Sequence, residues 1–174
     1  KGTMLFAGTK GGVFRSSDNG DHWEKCTTGL PGNRVTSIIS NGTMLFAGTD
    51  NGGIVRSSDD GDHWTAVNTG LTNKRVIALA ANSTTVFCGT YGGGIYRSTD
   101  NGDSWTSVNT GLPSLLTTSM AINGNVLFAT FYNVDGIFRS LDNGEHWAIV
   151  RPGYSYRILV NNSQIYLIGS PSYR

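Results

Sequence analysis

Four tryptophans, Trp23, Trp64, Trp105 and Trp147, recur at intervals of 41, 41 and 42 residues, and each closes a nearly identical octapeptide. The octapeptides are SSDNGDHW at 16–23, SSDDGDHW at 57–64, STDNGDSW at 98–105 and SLDNGEHW at 140–147. A second string recurs upstream of each: TMLFAGT at 3–9 and 43–49, TVFCGT at 85–90 and VLFAT at 126–130. Self-similarity at one spacing constrains the fold more than any other feature. Every repeat must be the same supersecondary unit, and a unit this short buries its apolar faces only by stacking on its neighbours. A period of roughly 40–45 residues is that of four-stranded propeller blades.

The pattern inside one repeat agrees. Val35–Ser40 alternates and meets Asn41-Gly42, a strong hairpin turn. Met44–Thr49 is nearly all apolar, as a strand buried on both faces would be. A Gly-rich loop, a third strand over Ile54–Ser58, the octapeptide turn and a fourth strand over Trp64–Asn68 complete the unit. Helical periodicity is absent, and 24 glycines with only 14% charged residues suit short strands and tight turns. The expected fold is all-β, a β-propeller of four-stranded antiparallel blades. Residues 1–174 form a single array of four repeats, entered at a second strand over Thr3–Thr9. Two strands of a fifth follow, near Arg157–Val160 and Gln164–Ser170. An array cut mid-blade is expected to be part of a larger ring or to associate with another copy.

The octapeptide S-x-D-x-G-x-x-W resembles the Asp-box, or BNR, repeat of the sialidase-like propeller superfamily. The likeness covers nearly the whole chain, and in style it is similar to the repeats of bacterial secreted proteins. The superfamily holds sialidases, xyloglucanase-type glycosidases, sortilin-type receptors and photosystem II assembly-factor propellers. The resemblance implies that the boxes lie on the face opposite any catalytic site.

Repetition also separates architecture from chemistry. Ser16, Asp18, Gly20 and Trp23 recur as Ser57, Asp59, Gly61 and Trp64, as Ser98, Asp100, Gly102 and Trp105, and as Ser140, Asp142, Gly144 and Trp147. The Asp is expected to accept backbone N–H groups of its own turn. The Gly takes a positive φ, and the Trp fills the space between blades with its indole N–H satisfied locally. Arg15, Arg56, Arg97 and Arg139 precede the boxes at one repeated position, so a structural or solvated role is expected rather than an anion site. His22, His63 and His146 all lie in boxes, leaving no histidine for acid–base work. Cys26 and Cys88 stand where other repeats carry small apolar residues and are expected to be buried free thiols.

Variation marks the other face. The loops between second and third strands carry Lys10, Asp50-Asn51, Tyr91 and the longest version, Phe131–Asp135; the blade linkers carry Asn33-Arg34, Lys74-Arg75, Ser114–Leu116 and Tyr154–Arg157. Tyr91, Tyr132, Asp135, Arg34, Arg75 and Asp50 are therefore the candidate ligand-binding residues. The favoured function is a non-catalytic binding or scaffold module for a carbohydrate or protein ligand, extracytoplasmic or secreted. The alternative is a sialidase-like or xyloglucanase-like glycoside hydrolase, or a fragment of one. That chemistry usually needs two carboxyl groups. Both glutamates, Glu24 and Glu145, and eight of the ten aspartates lie in or beside boxes, leaving only Asp50 and Asp135. No catalytic residue, metal ligand or cofactor is assigned. A net charge of +1 excludes a strong field for nucleic acid, and no apolar run is long enough to insert in a membrane. Three N-x-S/T segments, at Asn41, Asn82 and Asn161, fall in the same first-to-second-strand turn and are read as turn chemistry.

Overall fold

The computed structural model describes residues 4–32, 34–153, 157–161 and 164–168. Asn33, Tyr154–Tyr156, Asn162-Ser163 and the ends of the two terminal strand assignments, Thr3 and Ser170, lie outside the described residues.

The described residues form a meander of antiparallel strands in five sheets. Blade 1 holds β1 (Leu5–Thr9), β2 (Gly12–Ser16) and β3 (Glu24–Cys26). Blade 2 holds β4 (Val35–Asn41), β5 (Met44–Thr49), β6 (Ile54–Ser57) and β7 (Thr65–Ala66). Blade 3 holds β8 (Val76–Ala81), β9 (Val86–Thr90), β10 (Gly94–Ser98) and β11 (Thr106–Ser107). Blade 4 holds β12 (Thr117–Asn123), β13 (Val126–Phe131), β14 (Val134–Ser140) and β15 (Ala148–Arg151). A last hairpin pairs β16 (Arg157–Asn161) with β17 (Gln164–Ile168). Each blade runs in chain order from inner to outer strand, and β4, β8, β12 and β16 pack side by side along the inside. The chain is thus an all-β propeller array of four-stranded antiparallel blades.

The core lies between blades, as stacking requires. Val13 and Cys26 of blade 1 meet Leu45, Ala47, Val55 and Trp64 of blade 2. The next junction buries Phe46, Ile54 and Val67 against Val86, Cys88 and Trp105, and the third buries Phe87, Ile95 and Val108 against Leu127, Phe138 and Trp147. β5 and β9 are buried on both faces almost throughout, matching their unbroken apolar sequence. Both cysteines are free and buried, and burial pushes both thiols up.

The outermost strands are shorter than their sequence suggests. Trp64–Asn68 contributes only Thr65–Ala66 to the ladder. Trp64 N–H donates across to Thr28 of blade 1 at 2.9 Å, and the Asn68 side chain turns inward to the loop between β5 and β6. The last long loop is also a different structure. β13 extends to Phe131 and β14 begins at Val134, so Phe131–Asp135 is a two-residue hairpin turn at Tyr132-Asn133 with an irregular register before it. Asn133 takes a left-handed φ of +57° in this turn.

Candidate functional site

The recurrent turns form one side of the array and are built alike. Ser16 Oγ accepts the Gly20 N–H at 2.9 Å and donates to Asp18 Oδ1 at 2.8 Å. Ser57, Ser98 and Ser140 repeat both bonds. The Asp carboxylate then accepts the N–H four residues on: His22, His63, Ser104 or His146, at 2.9–3.0 Å. These donors hold Asp18 and Asp100 down at about 2 and Asp59 and Asp142 lower still. The His22 N–H leads at Asp18, the Ser104 hydroxyl at Asp100, and the His63 and His146 N–H groups at the other two. The residue before the turn glycine, Asn19, Asp60, Asn101 or Asn143, is also left-handed, at 56–60°. That choice of Asn or Asp was a visible signal not used in the sequence reading.

The arginines before the turns act between blades. Arg15 binds Asp62 Oδ1 at 2.8 Å and the Asp60 carbonyl at 3.0 Å, while also pairing with Glu24 at 2.9 Å. Arg56 reaches Asp103 at 2.8 Å, and Arg97 reaches Glu145 at 2.7 Å. So Asp62, Asp103 and Glu145, each just after a turn glycine, receive the arginine of the preceding blade. Arg139 is exposed and, among the described residues, makes no such pair. The tryptophans follow the same rule, against the expectation of local satisfaction. Trp105 and Trp147 donate their indole N–H to Val67 and Val108 carbonyls of the preceding blade, at 2.8 and 3.0 Å. Trp64 Nε1 is buried and, among the described residues, has no hydrogen-bond partner. Trp23 departs furthest: it is 44% exposed and bonds locally to the Gly20 carbonyl, because no blade precedes it among the described residues.

The opposite side carries the candidate ligand residues, and the structure joins five of the six. Asp50 Oδ1 accepts Arg75 Nε at 3.0 Å, and Asp50 Oδ2 lies 3.5 Å from Arg34. The Arg75 guanidinium stacks over Tyr91, 4.3 Å from the ring centroid. Tyr91 in turn lies 6.4 Å from Tyr132, tilted at 54°. This row crosses blades 2, 3 and 4 and ends at Tyr132, which is 50% exposed. Asp135 does not join it. It lies within β14 rather than in a loop and is exposed, sharing none of these contacts.

Backbone bonds hold the row in place. Asp50 N–H donates to the Arg34 carbonyl, Tyr91 N–H to Arg75 and Tyr132 N–H to Leu116, so each loop is tied to a linker. Asn68 and Asn109 add a clasp: each side chain accepts the N–H of Ile54 or Ile95 and donates to Gly52 or Gly93. The recurrence of Asn-Thr-Gly-Leu at 68–71 and 109–112 was the signal for it. Beside the row opens a cavity of 530 Å³ at the inner mouth. β4, β8 and β12 each have an irregular register at one place, and the displaced residues Thr36, Ile77 and Thr118 all line this cavity. Lys10, Arg34 and Arg157 make its rim cationic. Such a face can stack a flat apolar surface on Tyr132 and hydrogen-bond polar groups through Arg34, Arg75 and Asp50. It holds no histidine and no pair of facing carboxylates among these contacts.

Residues 2–125 match the DUF6242 β-propeller domain family, and the chain belongs to that family. No curated protein matches it in sequence. Solved structures share the fold at low identity. The extracellular domain of a putative one-component system from B. thetaiotaomicron is 20% identical, with a TM-score of 0.71 over 94% of this chain and 23% of its own. The GH74 xyloglucanase from Xanthomonas campestris is 18% identical, with a TM-score of 0.66 over 86% and 28%. A chain of the nidogen/laminin complex is 17% identical, with a TM-score of 0.72 over 94% and 68%. The chain spans only about a quarter of the GH74 and one-component-system structures it resembles.

Proposed function

We propose that this member of the DUF6242 β-propeller family is a non-catalytic, extracytoplasmic binding and scaffold module. It engages a carbohydrate ligand on the face bearing Arg34, Asp50, Arg75, Tyr91 and Tyr132. The turns are Asp boxes of the sialidase-like superfamily acting as architecture. The observation that carries the reading is the continuous row from Asp50 through Arg75 and Tyr91 to exposed Tyr132. A sugar ring offers an apolar face for stacking and a rim of hydroxyls for paired donors and acceptors, and this row supplies both. A protein surface is the alternative occupant of the same loops. Hydrolysis is disfavoured because Asp50 is engaged by two arginines and Asp135 stands apart on blade 4.

The test is a glycan array that includes xyloglucan oligosaccharides, followed by titration of the best-bound glycan. Tyr132→Ala and Arg75→Ala are expected to weaken binding about tenfold or more, as truncated aromatic and Arg anchors do. Asn82→Ala, on the turn between β8 and β9, leaves it unchanged. Binding that ignores Tyr132→Ala and Arg75→Ala, or an array with no bound glycan, sinks the carbohydrate reading.

A further inference from the structure

Charge is divided between the two sides of the array. Both glutamates and eight of the ten aspartates lie in or beside the recurrent turns, where Arg15, Arg56 and Arg97 pair with Asp62, Asp103 and Glu145. That leaves Asp50 and Asp135 on the opposite side, against Lys10, Arg34, Lys74, Arg75 and Arg157. A chain with a net charge of only +1 therefore has one cationic face. The cations converge on the 530 Å³ cavity: Lys10, Arg34 and Arg157 line it, and among its lining residues there is no carboxylate. Ligand sites commonly enclose roughly 300–1,000 Å³, so the cavity is large enough to hold a sugar. A cleft lined by charge of one sign concentrates ligands of the other.

The two arginines on Asp50 are not equivalent. Arg75 is engaged twice: its Nε donates to Asp50 Oδ1 at 3.0 Å, and its guanidinium lies over Tyr91. Arg34 stands 3.5 Å from Asp50 Oδ2, and its side chain is 56% exposed. Charge-assisted N–H bonds to oxygen run at about 2.7–2.9 Å, so Arg34 is the looser partner and keeps a fork of N–H donors for a ligand. Its backbone is anchored all the same, because the Arg34 carbonyl accepts the Asp50 N–H at 3.2 Å. Thr36, two residues on, also lines the cavity. Its hydroxyl donates to the Val76 carbonyl at 2.7 Å, which leaves an oxygen lone pair to accept a ligand hydroxyl.

We propose that the ligand of this face is an acidic, uronate-bearing oligosaccharide. Its carboxylate binds Arg34 and Lys10 at the mouth of the cavity, while another sugar of the same chain stacks on Tyr132. The inference rests on the carbohydrate reading of the face and specifies the substrate class. A planar guanidinium meets a carboxylate with two parallel hydrogen bonds, and Lys10 adds a point charge. Arg34 lies just before β4 of blade 2 and Tyr132 on blade 4, with blade 3 between them, so the ligand spans several sugars rather than one. Leu115, 45% exposed, widens the apolar end, because the next residue, Leu116, accepts the Tyr132 N–H.

The test is an array of uronate-bearing, sulfated and neutral oligosaccharides. It is followed by titration of the strongest-bound uronate oligosaccharide and of its methyl ester, which keeps the rings and removes the charge. The acid is expected to bind at least about tenfold more tightly than the ester, the difference a charge-assisted hydrogen bond makes, and to weaken as salt rises. Arg34→Gln and Lys10→Gln are expected to lower affinity for the acid severalfold and to leave that for the ester unchanged, which also shows that the variants are folded. Tyr132→Ala lowers both. The comparison of acid with ester on the unmodified chain needs no variant to fold. Equal binding of acid and ester, an advantage of the acid that survives both charge-removing variants, or sulfated chains bound as tightly as uronates overturns the proposal. An array whose bound glycans are all neutral overturns it and leaves the carbohydrate reading standing, whereas an array with no bound glycan removes both.

Discussion

Trp64 and Trp105 occupy one repeated position with different hydrogen bonding, and that difference is measurable. Both are buried to 4% exposure, yet only Trp105 donates its indole N–H to a carbonyl. Replacing Trp105 by Phe strands the Val67 carbonyl and is expected to cost about 1–3 kcal/mol beyond the lost ring area. Trp64→Phe removes a donor that is already unpaired, so chemical denaturation should find it the milder change. Equal losses would mean the unpaired N–H contributes nothing distinctive. Full truncation, Trp64→Ala, is expected to cost about 3–5 kcal/mol because it empties the seam between blades 1 and 2. Ser57 shows the same economy in a small residue. It is buried, accepts the Gly61 N–H and donates to Asp59. Ser57→Ala leaves that N–H unsatisfied and should lower stability by about 1–2 kcal/mol without touching the Tyr91 and Tyr132 face.

The turn as an element is acid-sensitive in a defined window. Its carboxylates accept several donors, so their folded values lie below the ordinary Asp value, at about 2 for Asp18 and Asp100. A depressed folded value stabilises the native state above the unfolded value. That contribution is complete above about pH 4 and is lost as pH falls through the folded values. Melting temperature followed from pH 5 to pH 2 should therefore drop chiefly below about pH 4. Asp100→Asn should start lower and fall less steeply; a decline as steep as that of the unmodified chain would remove Asp100 from the account. Most of this element was legible beforehand: Ser16, Asp18 and Gly20 do in the structure what their spacing implied. The link from Arg56 to Asp103 was not, because it joins residues 47 apart and nothing in one repeat says which neighbour the arginine meets. The candidate face was partly legible. Variable loops marked Asp50, Arg75, Tyr91 and Tyr132, but loop position alone misplaced Asp135, since Asn133 converts the supposed loop into a tight turn.

At the scale of the molecule, stability is a sum over blades and the seams between them, so it is expected to be uneven along the chain. Blades 2 and 3 have a neighbour on each side, and their second strands β5 and β9 are buried almost throughout. Among the described residues the last hairpin has one neighbour: Ile158 is buried against Ala121 and Ile137, while β17 presents Ile165, Tyr166 and Ile168 to solvent. β15 is exposed along its whole length. Local opening follows buried contact, so regions with few apolar contacts open at far less than the global free energy. Native-state hydrogen exchange should show the amides of β17 and β15 exchanging first and those of β5 and β9 last, near the global limit. The same gradient bears on the ligand face, because Asp50, Arg75 and Tyr91 sit on the two best-supported blades, whereas Tyr132 belongs to blade 4, beside the weaker end. Protection at β13 and β14 is therefore expected to lie between these extremes and to rise when the ligand is bound. Uniform exchange across all five sheets would show that the array opens only as a whole and would contradict a stability assembled seam by seam.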